Sequence, residues 1–115
     1  MPNVDMLHQE AMELVDQAVL ARQRGDTEAA MRLSRAAFTN ERAAADLVAD
    51  QYDLEPTRSV LHRSAAVLAI ECHELRDAER LIGRALAGTP PEAIANELRD
   101  LLLDEVYSQR QAIGS

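Results

Sequence analysis

Apolar residues recur at steps of three and four along almost the whole chain, and few residues interrupt this pattern. Leu7, Ala11, Leu14, Ala18 and Ala21 show the spacing most clearly, and such a spacing places side chains on one face of an α-helix. Only four Gly and four Pro occur among the 115 residues. Aromatic residues make up 3% of the chain, so the core must consist largely of Ala and Leu, which are strong helix formers. The sequence therefore predicts an all-α fold.

Helix-terminating and helix-capping residues divide the chain into five predicted helices. Gly25 is a natural stop, and Asp26 can cap a second helix from residue 27. Pro56 fits the first turn of a third helix. Thr89 precedes a proline and stands three residues before Glu92, the spacing of a capping box. We expect one domain, 1–115: a hairpin at about 3–50 (helices 3–24 and 27–49), a linker at 51–55, a second hairpin at about 56–88 (helices 56–73 and 76–87), and a C-terminal helix at about 90–111.

The second predicted hairpin repeats the first at an offset of 48 residues. This offset aligns Ala30 with Ala78, Leu33 with Leu81, Ala37 with Ala85 and Phe38 with Leu86. The small residues allow paired helices to approach closely, and the turn at residues 25–30 resembles that of a tetratricopeptide repeat (TPR). The resemblance covers residues 12–91 and implies a right-handed α-α superhelix of two antiparallel hairpins, with the last helix as a cap.

The chain also departs from the family pattern. The positions of the family's Trp, Leu, Gly and Tyr hold Leu14, Gln17, Ala18 and Ala21 in the first unit and His62, Ala65, Ala66 and Ala69 in the second. The period is 48 residues, whereas that of the family is about 34. A generic helical bundle with Ala-rich seams is the alternative.

The net charge, the cysteine content and the lack of a long apolar run limit the binding partners and the cellular location that we expect for this protein. Twelve basic residues, all of them Arg, oppose 20 acidic ones, and the net charge of −8 disfavours nucleic acid. Cys72 is the single cysteine, and we find neither a secretory leader nor an apolar run long enough to cross a bilayer. We expect a soluble cytoplasmic protein with no membrane partner.

The residues that carry reactive or ligating groups do not form a recognisable site. Cys72 and His73 are adjacent, so on a helix they point about 100° apart and are poorly placed to share a proton. His62 and His73 lie three helical turns apart, too far for one metal ion. We therefore predict no catalytic residue, no metal ligand and no cofactor. A row of arginines is either a solvated face or a site for an anion or an acidic peptide: Arg76, Arg80 and Arg84.

The TPR resemblance implies that the first helix of each hairpin lines a concave surface. The residues expected on this surface are mostly apolar: Met12, Val15, Val19, Arg22, Val60, Arg63, Val67 and Ile70. An apolar groove suits an amphipathic helix, supplied by another protein, by a second copy of the chain in a homodimer, or by the fifth helix folded back. We expect a protein-interaction module that binds a protein or peptide. The alternatives are that these residues are core, or that the chain is a small all-helical enzyme or metal-binding bundle without a recognisable motif.

Overall fold

The helices begin and end close to the residues that the sequence predicts. The computed structural model describes residues 3–114 and shows no strand among them, so the all-α prediction is confirmed. The helices are α1 (Val4–Gln23), α2 (Thr27–Val48), α3 (Thr57–Glu71), α4 (Leu75–Leu86) and α5 (Glu92–Asp100). A π-helical segment (Leu101–Tyr107) and α6 (Ser108–Gly114) continue α5 without a break.

The predicted capping box at the start of the last helix is wrong. The helix begins at Glu92, and its first backbone bond runs from the N–H of Ala95 to the carbonyl of Pro91. Pro91 occupies the N-cap position with an extended backbone, and no side chain caps the helix. The reason is the second proline, because a residue that precedes proline is driven out of the α region and Pro90 therefore cannot start a helix.

The α1–α2 and α3–α4 joints have the same backbone geometry, 48 residues apart. Gly25 has φ 80° and His73 has φ 60°, both in the left-handed region. In each joint the backbone N–H of the next residue donates a hydrogen bond to a carbonyl of the preceding helix. Asp26 donates to the carbonyl of Ala21 at 2.9 Å, and Glu74 donates to the carbonyl of Ala69 at 2.8 Å. This is the long bond of a Schellman motif. The offset read from the side chains is therefore also an offset in backbone structure.

Small residues hold the helices close together. Ala11, Ala18 and Ala21 of α1 and Ala30 and Ala37 of α2 are all at most 2% exposed. His8 pairs with Glu41, and Arg22 donates to Ser34, which shows that α1 and α2 run antiparallel. α3 packs against both α2 and α4, and α5 packs on α3 and α4. The core also contains larger apolar side chains from α3, α4 and α5: Leu61, Leu68, Leu81, Ile82 and Leu98.

A buried arginine, Arg58, closes the ends of two helices. Its side chain is fully buried, and it donates to the carbonyls of Ala49 at 2.8 Å, Arg84 at 2.8 Å and Ala85 at 3.3 Å. These carbonyls lie at the carboxyl ends of α2 and α4, where a helix leaves its last carbonyls without the usual backbone donor. The carbonyl of Ala85 also accepts from the N–H of Gly88 at 3.2 Å. Gly88 leaves room for the guanidinium, since a Cβ there would stand 2.5 Å from Nη1.

His62 is held neutral beside this arginine. Its Nδ1–H donates to the carbonyl of Arg58 at 2.7 Å, and its Nε2 accepts from Nε of Arg84 at 2.8 Å. Arg84 in turn donates to Asp46 at 2.8 Å. Burial of the ring, with the nearby arginines contributing less, lowers the pKa of His62 to about 4.

Candidate functional site

A groove of about 620 Å³ lies between α1, α3 and the helical segment that begins with α5. Its first wall comes from α1, its floor from α3, and its second wall from α5 and the π-helical segment. The residues that line it are His8, Met12, Val15, Val60, Arg63, Ser64, Val67, Leu68, Glu71, Glu97, Asp100, Leu101, Asp104 and Glu105.

The apolar part of the groove is accessible to solvent. Val67 is 37% exposed, and Met12 and Val60 are half-buried. None of these three belongs to the apolar core or to the partly buried residues packed against it. Val15 and Leu101, by contrast, line the groove and also pack on the core. Val15 and Leu101 thus form the base of the groove, and Met12, Val60 and Val67 form an apolar strip that is partly open to solvent.

Five of the eight residues expected on the concave surface line this groove: Met12, Val15, Val60, Arg63 and Val67. The other three do not. Val19 lies one turn beyond Val15 on α1 and is 41% exposed outside the groove. Arg22 donates to Ser34 of α2, and Ile70 packs against the core.

The second wall was missed by the expectation from the sequence. It consists of Glu97, Asp100, Leu101, Asp104 and Glu105. Three of these acids recur at three- and four-residue steps, and such a row is usually a solvated face. Helical spacing shows that side chains share a face but does not show what that face meets.

At one end of the groove, His8 is hydrogen-bonded to a buried carboxylate. Glu41 is fully buried, and both of its carboxylate oxygens lie within 2.9 Å of Nδ1 of His8. His8 is 40% exposed and lines the groove. A buried carboxylate on α2 thus orients a groove residue of α1.

The residues considered for catalysis lie apart from the groove. Cys72 is buried in the core, and this burial raises the pKa of its thiol. His73 is exposed at the α3–α4 joint. Within residues 3–114, no group of three or more His, Cys, Asp or Glu side chains could hold a metal ion.

Most of the predicted arginine row is engaged within the protein. Arg84 donates to His62 and Asp46, and Arg80 pairs with Asp77 at 3.2 Å. Arg76 is exposed. Arg84 thus links α4 to α2 and α3, whereas the pair of Arg80 lies within α4 itself.

Comparison of the chain with known proteins identifies no related protein. No family model, curated protein or solved structure matches the chain. Among the described helices, none combines the length and the apolar character needed to cross a membrane. The function must accordingly be argued from the groove itself.

Proposed function

We propose that this protein is an interaction module whose groove holds an amphipathic helix. The observation that carries the proposal is the apolar strip of Met12, Val60 and Val67, which the core does not use. Apolar surface gathered in a concave site generally marks a binding site. The groove extends along α3 from Val60 to Glu71, about 16 Å or three helical turns at 1.5 Å per residue. A helix of similar length can seat side chains at positions i, i+3 or i+4, and i+7.

A TPR-like arrangement is part of this proposal. The groove is lined by α1, α3 and α5, which are alternate helices of the chain. The two joints of equal geometry support a repeating unit of two helices. In this arrangement α5 supplies a third lining helix as well as a cap. A reducing cytoplasm fits the single, buried Cys72.

Binding has more support than catalysis. Two of the buried polar residues have structural tasks: Arg58 closes two helix ends, and His62 uses both ring nitrogens in hydrogen bonds. The buried Glu41 accepts from His8 and orients it at the edge of the groove. Cys72 is enclosed by the core. The proposed module therefore acts by holding a partner and not by transforming one.

The proposal is tested with a displayed library of helical peptides of about 14 residues, with a fixed apolar face and a randomised polar face. We expect the wild-type chain to enrich peptides that bind at micromolar concentrations. Val67→Asp should abolish their binding, because it places a charge on the apolar strip. Val19→Asp is the matched control: it makes the same change at a similarly exposed valine outside the groove and should leave binding intact.

Circular dichroism must first show that both variants remain helical. Enriched peptides that bind wild type and Val67→Asp equally would contradict the proposal. A library from which nothing is enriched would contradict it as well.

A further inference from the structure

The groove carries charge on one side, and most of that charge is uncompensated. Four acids, Glu97, Asp100, Asp104 and Glu105, stand on the second wall, and Glu71 stands at the end of α3. Arg63 is the single arginine among the groove residues, and it pairs with Glu97 at 2.8 Å.

Within residues 3–114, the remaining acids of the groove have no basic partner. Glu105 accepts a hydrogen bond from Gln109. Glu71, Asp100 and Asp104 make no side-chain hydrogen bond or ion pair within residues 3–114, and all three are exposed. Elsewhere on the surface some acids pair with an arginine: Arg35 with Glu74, Arg42 with Asp77, and Arg84 with Asp46. Other acids outside the groove, such as Asp50 and Asp53, have no arginine partner within residues 3–114, but only the acids of the groove are gathered beside its apolar residues. The acids of the second wall can therefore interact with a molecule that lies in the groove.

We infer that the occupant of the groove is a basic amphipathic helix from a different protein, with Lys or Arg along the flank that faces α5. The inference rests on the proposed function and adds the charge of the partner. An apolar face would cover Met12, Val60 and Val67, while basic side chains on its edge would reach Asp100 and Asp104. Complementary charge of this kind fixes the orientation of a partner and speeds its association.

A second copy of this chain does not meet these requirements. The chain has a net charge of −8 and contains no Lys, so two copies repel each other. The helix of a second copy that comes nearest to a basic amphipathic helix is α4, which carries three arginines. Its apolar face is already buried through Leu75, Leu81 and Ile82. That face could dock into a neighbouring groove only if the domain opened.

Three synthetic peptides test the inference. They share one apolar face of Leu and differ only on the flank, which carries Arg, Gln or Glu. Binding is followed by fluorescence anisotropy at about 50 mM and about 500 mM salt. We expect the Arg peptide to bind most tightly and the Glu peptide most weakly at low salt, with the differences shrinking at high salt. All binding should be lost in Val67→Asp.

Neutralising the acidic wall should then act on the Arg peptide alone. Asp100→Asn with Asp104→Asn should weaken its binding about fivefold at low salt, the effect expected for two exposed charge pairs, and should leave the Gln peptide unchanged. Asp50→Asn with Asp53→Asn is the matched control, because it removes the same charge from exposed residues outside the groove. This control should leave the affinity for the Arg peptide close to that of wild type.

The outcomes separate the two proposals. If the Arg and Gln peptides bind the groove equally well, the inference of a basic partner is wrong, while the proposed function is retained. The same holds if the two Asp→Asn double variants lose equal affinity for the Arg peptide. Failure of all three peptides to bind in a Val67-dependent way would count against the proposed function itself. A concentration-dependent dimer in sedimentation velocity that Val67→Asp dissociates would identify a second copy as the occupant and overturn the inference.

Discussion

The buried imidazole of His62 should make the stability of this protein depend on pH in a defined window. Both of its ring nitrogens are occupied, Nδ1 by the carbonyl of Arg58 and Nε2 by Nε–H of Arg84. A proton on Nε2 would face another donor and would bring a positive charge next to two arginines. The folded protein therefore resists a protonation that the unfolded chain accepts.

The magnitude follows from the two pKa values of His62, about 4 in the folded protein and 6.5 for the free side chain. Above pH 6.5 the imidazole is neutral in both states, so its contribution to folding is fully present. As the pH falls from 6.5 to 4, the unfolded chain binds a proton and the folded chain does not, so stability is lost. At about 1.4 kcal/mol per pH unit, the full loss is roughly 3 kcal/mol, and most of it is reached by pH 4.5.

Urea denaturation followed by circular dichroism between about pH 7.5 and pH 4.5 measures this loss. Carboxylates also titrate in this range, so the relevant quantity is the difference between wild type and His62→Gln. Wild type should lose roughly 2–3 kcal/mol more than the variant as the pH falls, whatever the offset between them at neutral pH. His73→Gln, at an exposed histidine, controls for the loss of any imidazole. Parallel pH profiles for wild type and His62→Gln would refute the argument.

Two further predictions concern the joints and the buried arginine. His73→Gly should raise the free energy of unfolding by about 1 kcal/mol, because a side chain is strained at positive φ. Gly25→Ala should lower it by a similar amount for the same reason. Equal melting temperatures for wild type and the two variants would contradict the joint geometry. Arg58→Leu should lower the free energy of unfolding by about 3 kcal/mol, since the carbonyls of Ala49 and Arg84 lose their donor and that of Ala85 keeps only the N–H of Gly88. Gly88→Ala should lower it less, by crowding the guanidinium. Arg76→Leu, at an exposed arginine, is the control in the same denaturation series, and a loss as large as that in Arg58→Leu would show that the capping role is wrong.

The features that sequence reasoning predicted well depend on residues close together in the chain. Gly25 and Asp26 end one helix and begin the next through bonds within a few positions, and Asp26 does accept from the N–H of Ala29 at 3.0 Å. The Ala periodicity of α1 and α2 likewise fixes which faces meet, since small side chains are found where helices approach closely. The start of the last helix was mistaken for an equally local reason, the backbone restriction that Pro91 imposes on Pro90.

By itself, the sequence determined the helices, the offset of 48 residues between the two joints, and the apolar residues that α3 contributes to the groove, Val60 and Val67. Only the tertiary structure decided that Val15 lines the groove while Val19 does not, and that the acids of α5 form its second wall. It also placed Arg58 at the ends of two helices that lie 9 and 27 residues away along the chain. The physical reason is that periodicity specifies a direction around one helix axis, whereas a groove or a buried network depends on how several axes are placed, which is set by packing between residues far apart in the chain.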